Sequence, residues 1–308
     1  MRLSFSKALI NANKKYSNIH LSTADLGFEV FEEFIEKFPE RFTNAGISEA
    51  NMVGMAAGMA HSGLIPVCYS IVPFLTFRAF EQIRNDVCYP NLNVKIVGVG
   101  GGYGYSLNGQ SHCAIEDISL MRSLPNMTVI CPGDPLEAYR AAYDMFSIKG
   151  PVYLRLGKKG EPILSYEYIG AFCIGKTVEI KKGKDLVIFT TGNMLESSII
   201  VEEKLQEVGI DASLIHVHTI KPLDKDHIRK IIGEHSKLIT IEEHNITGGL
   251  GSAIAEINVA SNDCLRHQLI IGIDDKYHNV GGSQKYLRSL DGLDVNSIIQ
   301  RTLTWLKS

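Results

Sequence analysis

The segment Gly46-Ile47-Ser48-Glu49-Ala50-Asn51-Met52-Val53-Gly54-Met55-Ala56-Ala57-Gly58-Met59-Ala60 sets one carboxylate, Glu49, at the mouth of an otherwise apolar, small-residue run. Met52, Met55, Ala56, Met59 and Ala60 recur at helical spacing. Ser48 is the N-cap candidate, and an acidic residue suits the first turn, where free N–H groups favour negative charge. The pattern predicts a packed helix over residues 49–62. Read alone, it is a core helix with an ordinary first-turn glutamate, and its surroundings decide whether it is more.

Strand-like and helical stretches alternate on either side. Strands are predicted at 18–23, 41–45, 65–70, 94–99, 127–130 and 152–156, and further helices at 27–38, 76–89, 115–124 and 135–146. That rhythm predicts an α/β fold with a mainly parallel sheet. From residue 157 to 184 it breaks into Gly-, Lys- and Glu-rich sequence. A second α/β unit follows, with strands at 186–191, 212–216, 238–241 and 269–273 and helices at 195–208, 224–233, 251–260 and 295–306. The expected organisation is a first domain over residues 1–165, a linker over 166–184 and a second domain over 185–308.

A chain of 308 residues supports two such domains, each with its own core. Its net charge of -3 gives no electrostatic footprint for nucleic acid or an anionic membrane. No run approaches the ~20 apolar residues that span a bilayer, and the N-terminal residues lack the apolar core of a signal peptide. The cysteines Cys68, Cys88, Cys113, Cys131, Cys173 and Cys264 form no CxxC pair, so zinc ribbons and dithiol redox motifs are unsupported. Free thiols in apolar runs fit a reducing compartment, and a cytoplasmic location is expected.

Two glycine clusters invite a nucleotide reading. Gly98, Gly100, Gly101, Gly102 and Gly104 do not make GxGxxG, and no helix opens directly after them, so a dinucleotide fingerprint is not supported. Gly248-Gly249-Leu250-Gly251 does open a predicted helix. Its N–H groups suit an anion, although it lacks the Lys-Ser/Thr of a P-loop and also reads as a tight helix entry. Phe74, Phe77 and Phe80 stand at i, i+3 and i+6, one face of a helix, which serves either core packing or a platform for a flat heteroaromatic ring. His112 ends the loop Asn108-Gly109-Gln110-Ser111-His112. It is either a structural hydrogen-bonder or a group that moves a proton near neutral pH.

In order and spacing, these pieces resemble the C-terminal half of a transketolase. The likeness is carried by Ser22-Thr23-Ala24-Asp25-Leu26, the Gly46–Ala60 segment, Phe74-Leu75-Thr76-Phe77, Asn108–His112, Pro125-Asn126-Met127 and Leu154-Arg155. It continues through Thr219-Ile220-Lys221-Pro222-Leu223-Asp224, Glu242-Glu243-His244 and Gly248–Gly251. The resemblance implies two three-layer α/β domains with mainly parallel sheets, a pyrimidine-binding domain followed by a C-terminal domain. It implies a thiamine diphosphate enzyme that moves a two-carbon ketol unit from a ketose to an aldose. Glu49 matches the carboxylate that shares a proton with the aminopyrimidine ring, a role that an uncharged partner and burial would favour. Phe74, Phe77 and Phe80 match its aromatic pocket, and Asp25 and Leu26 match the segment that presses the cofactor into a bent shape. His112 and Asn108 match substrate-facing positions, and Arg155 matches an arginine that binds a sugar phosphate.

The half that grips the diphosphate through Mg2+ carries a Gly-Asp-Gly segment, which this sequence lacks; Gly133-Asp134 runs into Pro135. The resemblance therefore implies one subunit of a split enzyme, with the Gly-Asp-Gly half on a separate chain and an α2β2 assembly. Asn108 replaces a common Asp, and Gly100 falls where a phosphate-contacting His is expected. These two departures suggest an altered sugar, one lacking a phosphate or a hydroxyl. Two alternatives remain on the sequence: the β subunit of a decarboxylating 2-oxo acid dehydrogenase, and a non-catalytic scaffold of the same fold.

Overall fold

The structure, a computed structural model, describes residues 1–260 and 265–308, so Cys264 lies outside the described residues. Its strands are β1 (Ile19–Thr23), β2 (Phe42–Asn44), β3 (Ile65–Ile71), β4 (Lys95–Val99), β5 (Thr128–Ile130), β6 (Val152–Leu156), β7 (Val178–Lys181), β8 (Leu186–Thr190), β9 (Ala212–His216), β10 (Thr219–Lys221), β11 (Lys237–Asn245) and β12 (His267–Ile273). They form a seven-stranded sheet in the order β10-β5-β6-β4-β3-β1-β2 and a five-stranded sheet in the order β12-β11-β8-β9-β7. Every pairing is parallel except β10 with β5 and β7 with β9.

Strand period fixes the layers. Successive side chains point to opposite faces of a sheet. Val152, Leu154 and Leu156 of β6 enter one core, with Phe5, Leu9, Ala138 and Ala141 from the helices Arg2–Asn13 and Pro135–Asp144. Tyr153, between them, enters the opposite core, with Met52, Val53, Ala56 and Ala57 from the helix Glu49–His61. In the second sheet Leu186 and Ile188 of β8 face the helices Leu195–Glu207 and Val295–Leu306, whereas Val187 and Phe189 turn the other way. The core that receives Val187, Phe189, Ile215 and Leu238 is the same one that receives Met52 and Tyr153. One continuous apolar layer thus lies between the sheets and joins the two halves.

Several elements differ from the sequence expectation. The helix Arg2–Asn13 is additional to it, although Phe5, Ala8, Leu9 and Ala12 are a buried stripe. The stretch 166–184, expected to be a linker, contains β7, the antiparallel edge of the second sheet. The half-buried edge pattern of Val178-Glu179-Ile180-Lys181 hides among charges. β10, from the second half of the sequence, completes the first sheet, and Lys221 Nζ donates to the carbonyls of Arg122 (3.0 Å) and Leu124. The helix expected over 27–38 spans only Glu32–Lys37, because the chain turns through positive φ at Gly27 and Glu29. The helix expected over 76–89 starts earlier, with Pro73 in its first turn, and breaks after Thr76 before resuming at Phe80. Cys68, Cys88, Cys113 and Cys131 are buried free thiols and Cys173 is exposed. Among the described residues, no helix is long and apolar enough to cross a membrane.

Candidate active site

Most of the residues singled out above converge at the carboxyl ends of the parallel strands of the first sheet, where ligands of open α/β folds bind. β1 leads into Asp25, β3 ends just before Val72 and Pro73, and β4 leads into the loop that carries Asn108 and His112. Glu49 enters from the start of its own helix. Ser48 occupies the N-cap without making a side-chain cap bond. Asn44, absent from the sequence expectation, ties two of these ends together. Its Oδ1 accepts from the N–H of Asp25 (3.0 Å) and of Gly46 (3.0 Å), and its Nδ2 donates to Asp25 Oδ1 (3.2 Å).

Glu49 is buried, with 1% of its surface exposed. Ser70 Oγ, from β3, donates to its Oε1 at 3.0 Å. Arg78 Nη1 donates to its Oε2 at 2.5 Å. In the free chain this carboxylate faces a guanidinium. Arg78 is itself 45% exposed on its side chain, so the pair is held from the solvent side by a group with room to move. The same guanidinium lies over the ring of Phe74, 4.8 Å from its centroid. Phe74 in turn meets His112 edge-on at 4.9 Å, and Ser111 Oγ lies 3.1 Å from His112 Nδ1. Glu49, Arg78, Phe74 and His112 form one contiguous group.

The helix break separates the phenylalanines. Phe74 and Leu26 pack on the outer core, Phe80 packs on the inter-sheet core, and Phe77 lines a cleft with Pro73, Gln110 and Ser111. The expectation of a single shared face is therefore corrected, because Phe77 to Ala79 leave the helical path. Asp25 is exposed, and its φ of +53° is anchored by Asn44. Asn108 is exposed and outside that cleft's lining.

Arg155 is not presented to the cleft. Its side chain is 4% exposed, and it donates to Asp117 Oδ2 (2.8 Å), Asp117 Oδ1 (3.2 Å) and the carbonyls of Ala114 and Glu243 (3.1 Å each). Burial opposes its charge, but Asp117 more than offsets this and holds the guanidinium protonated. Beside it, Glu243 accepts from Arg288 Nη2 (2.9 Å) and Gln284 Nε2 (2.9 Å). Burial raises the Glu243 carboxyl, but Arg288 and Gln284 outweigh it and bring it below the usual range. This is a saturated polar seam between the two sheets.

Both glycine clusters serve packing. At Gly100 (φ +81°) a Cβ would stand 2.1 Å from the Tyr105 ring, so no histidine fits there. The N–H groups of Leu250 and Gly251 do receive an acceptor, but it is the chain's own Glu242 carboxyl, at 2.7 Å from each. Burial pushes that carboxyl up to about 7 against the pull of the two N–H groups.

Comparison with known proteins agrees with this architecture. The family model "Transketolase, pyrimidine binding domain" matches residues 1–161, and "Transketolase, C-terminal domain" matches residues 175–284. A Methanocaldococcus jannaschii protein, named provisionally as a transketolase C-terminal section, is 40% identical over 100% of this chain and 96% of its own length. An apulose-4-phosphate transketolase subunit from Actinobacillus succinogenes is 34% identical over 88% of this chain and 86% of that protein. Among solved structures, a split gene transketolase described as an inactive β4 tetramer superposes with a TM-score of 0.89 at 34% identity, covering 98% of both chains. A pyrimidine-binding and a C-terminal domain, arranged as in the subunits of split transketolases, make this chain a member of the transketolase family.

Proposed function

We propose that this chain is the pyrimidine-binding subunit of a two-chain transketolase that moves a two-carbon ketol unit from a ketose to an aldose. The observation that carries the reading is Glu49: a buried carboxylate whose Oε2 is met, among the described residues, by a half-exposed arginine that lies over Phe74, itself edge-on to His112. Membership of the family implies thiamine diphosphate. The residues suit its pyrimidine: an acid fixed by Ser70, the Phe74 ring beside its arginine partner, and Phe77 on the adjoining cleft. When bound, thiamine diphosphate supplies the carbon nucleophile that the reaction needs.

The chain's own residues prepare that chemistry. Ser70 fixes Oε1 of Glu49, so Oε2 is the atom that carries a proton toward the ring once Arg78 swings out into solvent. Phe74, Phe77 and Leu26 exclude water from that proton. Asp25 and Asn44 set the backbone on which Leu26 stands. His112 holds or returns a proton at the sugar oxygens. The diphosphate and Mg2+ belong to the partner chain with its Gly-Asp-Gly segment, in an α2β2 enzyme of the cytoplasm. The boundary between this chain's two domains falls within residues 166–184. The inactive β4 form of the split relative supports a need for the second chain.

The test is reconstitution with the partner, thiamine diphosphate and Mg2+. We expect exchange between a ketose and an aldose, and no turnover by this chain alone. Carbon dioxide release from pyruvate with a lipoyl acceptor, without sugar exchange, would make the chain a 2-oxo acid dehydrogenase subunit instead. Neither activity would make it a scaffold.

A further inference from the structure

The loop after β12 brings a second histidine to the cleft that Phe77 lines. Tyr277, His278 and Asn279 face Phe77, Gln110 and Ser111 across a space of about 340 Å³. His278 Nε2 lies 2.9 and 3.0 Å from the two oxygens of Asp291, and its side chain is 13% exposed. Asp291 has no exposed side-chain surface. It is fixed further by the Tyr103 hydroxyl (2.6 Å) and by Lys276 Nζ (3.1 Å). Tyr277 in turn donates its hydroxyl to Glu116 Oε1 at 2.7 Å, which closes the loop down on the first half of the chain.

A buried carboxylate that takes the Nε2 proton sets the orientation and tautomer of the ring. Nδ1 is then the nitrogen left without a partner among the described residues, an acceptor in the neutral ring. Gln110, Ser111 and Asn279 on the cleft are neutral hydrogen-bonders, its one carboxylate, Glu116, already accepts from the Tyr277 hydroxyl, and Phe77 supplies an apolar floor. That is the chemistry of a hydroxylated carbon chain lying with its C–H face on an aromatic ring.

We propose that the second domain completes the substrate site: His278, positioned by Asp291, binds a hydroxyl of the sugar chain beyond its reacting carbonyl carbon. The inference rests on the ketol-transfer reading above and adds to it a residue from the domain that does not hold the cofactor. Its consequence is a dependence on substrate length, because a two-carbon aldehyde cannot reach His278 while also reacting.

The experiment uses the reconstituted two-chain enzyme and two acceptors: glycolaldehyde, and ribose or its 5-phosphate, whichever the wild type accepts. His278→Ala should raise the ratio of the five-carbon KM to the two-carbon KM by about tenfold, the loss of one hydrogen bond. His278→Gln, which keeps a hydrogen-bonding side chain, should restore part of it, and thermal melting should show both variants folded. Equal changes for both acceptors, or no change for either, would overturn the proposal. Failure of the wild-type pair to transfer to either acceptor is a different result; it overturns the proposed function and this inference with it.

Discussion

Two parts of this molecule use the same side chains for opposite purposes. In the seam between the sheets, Arg155 and Arg288 pair with Asp117 and Glu243, with the paired carboxylates fully buried and their oxygens held by further donors. At the strand ends of the first sheet, Arg78 pairs with Glu49, but the arginine is half in water and, among the described residues, nothing else holds that oxygen. The seam holds its charges where they are. The strand ends keep a buried acid whose outer partner has access to water. Residue type alone does not separate scaffold from site. Satisfaction and exposure do.

The largest effect should come from the seam. Arg155→Met strands Asp117 inside the protein, and we expect a loss of about 3–5 kcal/mol in urea unfolding. A change under about 1 kcal/mol would show that the seam is no more built than the Glu49–Arg78 pair. Glu49→Gln should behave in the reverse way. Turnover of the reconstituted enzyme should fall by about a hundredfold or more, as expected for a lost proton-transfer group. Stability should move by less than about 1 kcal/mol, because the change removes a buried charge whose partner has access to water. Preserved turnover would remove Glu49 from the mechanism.

A subtler contrast lies in pH. Burial holds His218 down to about 3, helped by His216, and burial holds His244 down to about 4. Both are lowered from 6.5, so as the pH falls below 6.5 the unfolded chain takes up protons that the folded chain refuses. Stability should therefore decline from pH 6.5 toward pH 3. His218→Asn keeps a hydrogen-bonding group for the Thr219 hydroxyl and removes one of these titrations. Thermal melting followed from about pH 7 to about pH 4 should show a shallower fall in this variant, with the least difference at neutral pH. An identical slope would mean that His218 is not the group being held neutral.

Much of this fold is legible in the chain alone. β6, β9 and the helix Val295–Leu306 begin and end where the apolar pattern does. The helix Glu49–His61 starts on the residue that its first-turn chemistry indicates. The edge strands β7 and β10 are not legible, because a three- or four-residue strand rich in charged and polar residues carries too few apolar positions to show a period. Arg78 stands in plain view among the phenylalanines, and a charge inside an aromatic run is the signal that finds it. His278 leaves no such signal, since its partner Asp291 lies 13 residues on and across a turn and a helix.

Local periodicity and residues close in the chain are enough to yield the α/β rhythm, the family and a lone acid at a helix mouth. Which charges are spent and which stay available is settled only by packing. The fold sends Arg155 into the seam, Glu242 onto a helix N-terminus and Phe80 into the core, and it sets Arg78 against Glu49. Burial and pairing are properties of the whole packed chain. Whether a charged group works or merely holds therefore depends on neighbours, distant in sequence, that folding brings within hydrogen-bond reach.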